Sequence, residues 1–562
     1  MISRARSVVI VAFAWVAGLL MAFHPTLLSG FRLMQRDLGD TRFNNYLLEH
    51  HWQWIVGAAG VPSFWDPAMG FPLSGGLGYS DIMLTFAPFY WVWRLFSIDP
   101  ETSFQLWTLA IATTNYAAMW LLLRRMMKFD VLAATFGAFV FAFAAARIAQ
   151  LGHAQLMPQF YVLGVLASAM VLFGDSPRGD FSGTEAARRD HIAIGSMAAC
   201  ICAQFWGGFY VGYFAALIAA VALALGLGLR AHRASILEKL RVRAASICMA
   251  GIASIAVLSP LVLRYLAASA HSWKFGVGAG EKRLPRLASY LFVGPDSVVY
   301  GWMANWPVFR NLPEAHEQAI GLGLVTTAVL LYVAWQRRHH PVTRFTCILI
   351  AILFVALTWF PFEIRLWRLW YYSVPGLAAI RAVSRIGLFL LIPAAIALAW
   401  WVHSRGTLFS ARVALLVALA CCLEQGIAAP AFDKHAWQCR LERIAAEVDR
   451  DSQAFYLLGT GSGTDNLDAL LVSQRIGIPT INFYSGRIPK VWTLSRFQHH
   501  PATQTSEIEE ELIRYLETQK VSPESVQVLR QPDPERCEPN RELRSFPLRR
   551  RARGVELVEK KL

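Results

Sequence analysis

The chain alternates long apolar stretches with shorter polar ones, and the lengths of the apolar stretches set the first expectation. Runs at roughly 8–28, 101–123, 131–149, 155–174, 191–206, 209–229, 245–266, 318–335, 345–360, 382–402 and 413–430 read as helices. Most approach the ~20 residues that cross a bilayer. The stretch 191–229 is too long for one span and divides at Trp206-Gly207-Gly208, where glycine permits a tight turn. The first run follows the basic segment MISRARS, and no A-x-A-like cleavage site cleanly follows it, so it reads as an uncleaved helix. The pattern predicts a mainly α, polytopic membrane protein with about eleven transmembrane helices over residues 1–430.

Three segments between spans are long: 29–100, 267–317 and 361–381. The first contains an amphipathic-looking piece, Asn45 to Ala58, and a second apolar piece, Asp81 to Ile98. Counting 81–98 as a full span would invert every later loop, so it reads as an interfacial or partly re-entrant helix. After residue 430 the pattern changes. Short β-like runs (Phe455–Leu458, Val526–Leu529) and helical patterns (Asp468–Arg475, Glu507–Thr518) predict a small soluble α/β domain over 431–562.

Composition agrees with the membrane reading. Only 16% of residues are charged, against about 25% in soluble domains, and the mean hydropathy is +0.39. The net charge of +15 would suggest nucleic acid in a soluble protein. Here the basic residues gather in alternate short loops: Arg124, Arg125 and Lys128; Arg178, Arg188 and Arg189; Arg230 to Arg243; Arg337, Arg338 and Arg344; Arg405 and Arg412. The turns at Gly152-His153 and Gly207-Gly208 carry no Lys or Arg. The positive-inside rule then puts the N-terminus in the cytoplasm and the long loops and the C-terminal domain outside. No nucleic-acid partner is expected; the lipid bilayer is. Six of the 8 cysteines lie in apolar runs as small buried hydrophobes. Cys439 and Cys537 fall in the C-terminal domain, where an oxidising periplasm would allow a disulfide.

Polar residues gathered in the outer loops are the candidates for chemistry. Residues 31–42 hold two carboxylates, Asp37 and Asp40, and three arginines, Arg32, Arg36 and Arg42. They read either as a solvated salt-bridged loop or as a carboxylate base beside cations that hold an anion. Trp65 and Tyr79, in FWDPAMGFP and GYSD, either stack on a sugar or sit at the interface; Asp81 follows them. Lys282, Arg283 and Arg286 form a basic run that suits phosphate or anionic lipid. Arg381 and Arg385 are four apart at a helix start and face one way, toward phosphate or snorkelling to the interface. His316 and Glu317 precede a helix, where an acid also favours the helix dipole. His153 tips an outer turn, as a structural residue or a cavity-lining one.

Several of these stretches together resemble a family. An acidic motif after helix one (Asp37, Asp40), the FWDPAMGFP…GYSD stretch, PGLAAIRAVSRIG at 375–387 and IGIPTINFYSG at 476–486 are similar to segments of bacterial GT-C fold membrane glycosyltransferases. The resemblance spans most of the chain. It implies a GT-C-like fold in the bacterial inner membrane. It also implies transfer of a sugar from a polyprenyl-phosphate donor to an envelope glycan, lipid or protein acceptor on the outer face, with inversion. A carboxylate of the first outer loop would act as general base; Gly39-Asp40 best matches the family's Gly-Asp pattern, with Asp37 second. An acidic residue near Glu317 would help hold the acceptor or a divalent cation. No spacing demands a metal, and a cation would need Asp40 and a second outer carboxylate to converge.

There is no P-loop, which argues against an ATPase, and no GxGxxG between a strand and a helix, so a nucleotide-sugar domain is not indicated. A transporter or flippase is the main competitor, but no internal repeat is visible and charges are scarce inside the spans. A non-catalytic assembly factor is the third reading.

Overall fold

The structure is a computed structural model, and it describes residues 4–58, 60–174, 183–273, 275–404, 408–459, 463–497 and 505–530. Each of the apolar runs contains a helix, although residues 318–323 of one run stay outside it and the run at 131–149 divides at Ala144. Among the described residues, seven helices are long and apolar enough to cross a membrane: Arg4–Leu28 (α1), Pro100–Met126, Val131–Ile148, Ala154–Phe173, Phe209–Gly228, Ala244–Ala270 and Val383–His403. Leu324–Gln336, Pro341–Leu357 and Ser410–Leu423 are apolar but shorter. Gly183–Gly207 starts polar and becomes apolar. The fold is thus that of a mainly α, polytopic membrane protein.

The long stretch does break at Gly208, whose backbone is extended between two helices. Glycine is required there by close approach. A Cβ on Gly207 would overlap the Phe86 ring, and one on Gly208 would stand 2.7 Å from the carbonyl oxygen of Gln155. Within 81–98 the chain forms a short turn, Leu84–Phe86, and an eight-residue helix, Pro88–Leu95. That helix is about 12 Å long, well short of the ~30 Å hydrocarbon layer.

Loops expected on one side of the membrane meet one another. The turn at Gly208 lies against Gln155, and the Phe209 N–H donates to Asp81 at 2.6 Å. Across the bundle, Lys239 and Arg243 bind Asp190 at 2.9 and 3.1 Å, and His403 binds Asp130 at 2.8 Å. The His232 ring packs edge-on against Phe345. The helix Val131–Phe143 runs through the middle, with Ala133, Ala138, Phe141 and Phe143 fully buried.

The segment after residue 430 is joined to the first long loop rather than appended to the bundle. Strand β1 (Leu33–Gln35) pairs antiparallel with β2 (Ala431–Asp433), Leu33 opposite Asp433. Strand β3 (Ala454–Leu458) runs parallel to β4 (Val526–Arg530). Helices Lys434–Glu447, Gly463–Ile476 and Thr505–Thr518 accompany them. One hydrophobic core contains Phe43, Tyr46, Leu47 and Met69 of the first loop together with Leu441, Phe455, Leu470 and Phe483.

Helix α2 (Asp40–Ile55) corrects one expectation. Its sequence looks amphipathic from Asn45, yet every residue from Thr41 to His51 is buried. The helix lies between the bundle and the C-terminal segment, so its polar groups meet protein on both sides. Burial of polar side chains is tolerated when they find partners. Glu49 binds Arg94 at 2.8 Å and Tyr90 at 2.7 Å, and His50 and His51 bond the carbonyls of Phe64 and Ile82. The Cys439–Cys537 disulfide expectation involves Cys537, which lies outside the described residues. The other six cysteines are free.

Candidate functional site

Asp40 occupies the first turn of α2, where the helix dipole favours a negative charge. Its two oxygens have different partners. The Tyr484 hydroxyl donates to Oδ1 at 2.9 Å, and His153 Nε2 lies 3.1 Å from Oδ2. Surrounding protein works to raise the carboxyl's pKa, but the bonds from His153 and Tyr484 and the charge of Arg385 outweigh it and hold it below the usual carboxylate range. The side chain still keeps 40% of its surface open. An ionised, bonded and partly open carboxylate is the arrangement a general base needs.

The turn that presents His153 is held at several points. Buried Arg147 donates to the carbonyls of Phe141 and Met157 at 3.0 and 2.7 Å and to Gln159 Oε1 at 2.8 Å. Asn115 adds a second bond to the Met157 carbonyl at 2.8 Å. From the other side, Asn44 on α2 donates to the Gly152 carbonyl at 2.9 Å and to that of Asp40 at 2.7 Å. One side chain therefore ties Asp40 and the histidine turn together.

Beside them lies a buried ion pair. Arg385 binds Glu317 through two hydrogen bonds, 2.6 and 3.0 Å, and its guanidinium sits over the Tyr210 ring. Burial disfavours the charged form of Glu317, but Arg385 outweighs this and brings the carboxyl down to about 2. Asp81 caps the Phe209 helix, and burial pushes its carboxyl up.

The remaining candidates distribute as follows. Asp37 is exposed and accepts the Gly39 N–H at 2.8 Å, shaping the turn before α2. Arg32, Arg36 and Arg42 are committed to carboxylates of other segments: Asp433 at 2.6 Å, Asp296 at 2.7 Å and Asp468 at 2.5 Å. They form the salt-bridged half of the expectation, each joining the first loop to a distant part of the chain. Trp65 packs against Phe64 and Trp206 with Arg264 over its ring, and Tyr79 packs edge-on against Phe483. Lys282 is exposed, Arg283 pairs with Glu314 at 3.0 Å, and Arg286 stacks on Trp359 at 3.9 Å. Arg381 lies over the Phe275 ring at 5.1 Å.

Tyr484 was not singled out by sequence reasoning, although it lies in the IGIPTINFYSG stretch. Among the described residues no group of three or more His, Cys, Asp or Glu converges to hold a metal ion. Asp40 and His153 alone do not make such a site, and no chemistry here is routed through a cation.

The fold, a helical bundle joined through its first long loop to a small C-terminal segment, is a GT-C-like membrane fold. Comparison with solved structures gives the same class. A mycobacterial arabinofuranosyltransferase, AftD, aligns with a TM-score of 0.50 at 13% identity, over 87% of this chain and 32% of its own. The Archaeoglobus fulgidus oligosaccharyltransferase in its apo form aligns at 0.48 and 15% identity, over 86% of this chain and 65% of its own. The chain thus spans less than two thirds of either structure. The likeness is one of fold and rests on the first of the two. No family model and no curated protein matches the sequence.

Proposed function

We propose that the protein is an inverting glycosyltransferase. It takes a sugar from a polyprenyl-phosphate donor and gives it to an envelope glycan, lipid or protein acceptor at the outer face of a bacterial inner membrane. The N-terminus is cytoplasmic in this reading, and residues 431–562 form a periplasmic domain. The observation that carries it is Asp40: an ionised, partly open carboxylate with both oxygens positioned, on the first outer loop of a GT-C-like fold.

In the reaction the acceptor oxygen forms a bond to the anomeric carbon of the donor as the bond from that carbon to the phosphate oxygen breaks. Asp40 takes the acceptor's hydroxyl proton, and the polyprenyl phosphate leaves with the electron pair. A sugar hydroxyl is a poor nucleophile, and a positioned base is worth about 10²–10⁴ in rate. His153 and Tyr484 position Asp40. The fixed charge of Arg385, itself oriented by Glu317, supports negative charge at this place.

Mass spectrometry of envelope glycans and glycolipids from cells with and without the gene tests the reading. Loss of one sugar increment in the deletion supports it. Unchanged glycans in the deletion reject it in favour of transport or assembly.

A further inference from the structure

Among the described residues, two arginines beside this site have no acceptor for their charge. Arg381 precedes the Val383–His403 helix, and Arg487 lies in the C-terminal segment three residues beyond Tyr484. Their guanidinium carbons stand 5.1 and 5.7 Å from the ring centre of one shared side chain, Phe275. Neither guanidinium makes an ion pair or a hydrogen bond among the described residues. Their neighbours differ in this respect: Arg283 has Glu314, Arg385 has Glu317, and Arg365 and Arg368 share Glu281 at 2.9 and 2.7 Å.

The backbones of both arginines are nevertheless held firmly. The Arg381 N–H donates to the Tyr210 hydroxyl at 3.1 Å. The strip beyond Arg487 lies against His271 and Ser272: Pro489 bridges Ser272, and the Lys490 N–H donates to the His271 carbonyl at 2.8 Å. The carbonyl of Phe275 accepts the Tyr371 hydroxyl at 2.9 Å. Both side chains are half-buried, and burial, unrelieved by a carboxylate in contact, disfavours the charged form of Arg381. A half-buried guanidinium without an acceptor forgoes charge-assisted hydrogen bonds that a ligand can supply.

The location ties the pair to Asp40. Tyr484 bonds Asp40 directly, and three residues of chain reach at most about 11 Å. Arg385, four residues after Arg381, has a charge that Asp40 feels.

We propose that Arg381 and Arg487 form a two-arginine clamp for a phosphate group, with Phe275 as the surface they share. Guanidinium is the group whose planar fork matches phosphate oxygens. One arginine comes from the membrane-embedded part and the other from the C-terminal segment, so the site is complete only when both are in place. The phosphate belongs either to the polyprenyl-phosphate donor, which rests on the glycosyl-transfer reading, or to a phospholipid headgroup, which does not.

Calorimetric titration of the full-length protein in neutral detergent tests this with farnesyl phosphate as the probe. Farnesol and inorganic phosphate serve as comparisons, and phosphatidylglycerol as competitor. Farnesyl phosphate is expected to bind and farnesol not to. Arg381→Gln and Arg487→Gln should each weaken binding at least about tenfold, and the lysine substitutions should retain part of it. Inorganic phosphate should compete. Weak competition by phosphatidylglycerol assigns the clamp to the donor; equal competition assigns it to a headgroup. Binding by the double glutamine variant equal to wild type overturns the clamp. Farnesyl phosphate binding by a native protein whose deletion leaves envelope glycans unchanged rejects the glycosyl-transfer reading and leaves the clamp standing. Monodisperse elution of each variant shows that it is folded.

Discussion

His153 Nε2 and Asp40 Oδ2 are 3.1 Å apart, although 113 residues separate them, because Asn44 bonds the turn of one to the helix of the other. This contact helps set the charge state of Asp40. Together with the Tyr484 hydroxyl on Oδ1, it offsets the effect of burial and leaves Asp40 ionised below the usual carboxylate range.

The first consequence concerns pH. Asp40 must be deprotonated to accept a proton, and its pKa lies below the ordinary value of about 4. Activity should therefore persist through pH 5 and fall only below about pH 4. Tyr484→Phe removes one of the bonds that lower the pKa, so its acid limb should move to higher pH. It should also lose roughly tenfold in rate through a less well-held base. A profile measured on both proteins checks this, and coincident acid limbs would contradict it.

Glu317 and Arg385 predict a stability effect. Both side chains are about 5% exposed or less, and removing one partner leaves a buried charge alone. Glu317→Gln should cost about 3–5 kcal/mol, read as a fall in unfolding temperature in detergent. The folded pKa of Glu317 is about 2 against an ordinary 4.5. Its stabilising contribution is thus complete above pH 4.5 and lost as pH falls toward 2. Glu317→Gln should flatten that acid dependence.

The Arg42–Asp468 pair joins α2 to the C-terminal segment with neither side chain more than 5% exposed. Burial pushes the Asp468 carboxyl up, opposed by Arg42 and Arg440. Arg42→Met alone should destabilise by about 3–5 kcal/mol, and a second change, Asp468→Leu, should recover much of it because the desolvation cost of both charges disappears. A double-mutant cycle on unfolding temperature checks the coupling.

Much of this architecture was legible in the sequence, because transmembrane helices announce themselves by length and hydropathy alone. The break at Gly208 was legible too, since only glycine fits where another backbone passes. What periodicity does not carry is pairing across the chain. Arg36 and Arg42 look like free cations until Asp296 and Asp468 meet them, 260 and 426 residues away. Tyr484 is 444 residues from Asp40 and carries no charge to attract notice. The burial of α2 was invisible for a related reason: a helix rich in Asn, His and Glu reads as exposed unless its partners are known.

The shared core makes a further prediction. Phe43, Tyr46 and Leu47 of α2 share one core with Leu441, Phe455 and Leu470, so the first long loop loses part of its interior without the C-terminal segment. A chain ending at Pro430 should expose α2 to protease and accumulate poorly in the membrane. Equal accumulation and equal protease resistance would show that residues 1–430 fold alone.

The most direct test of the central claim is a single substitution. Cells lacking the gene are supplied with either the native protein or Asp40→Asn, membrane levels are matched, and envelope glycans are compared by mass spectrometry. The account predicts that the native protein restores the missing sugar increment and that Asp40→Asn restores less than about one hundredth of it. Full restoration by Asp40→Asn would contradict Asp40 as the base.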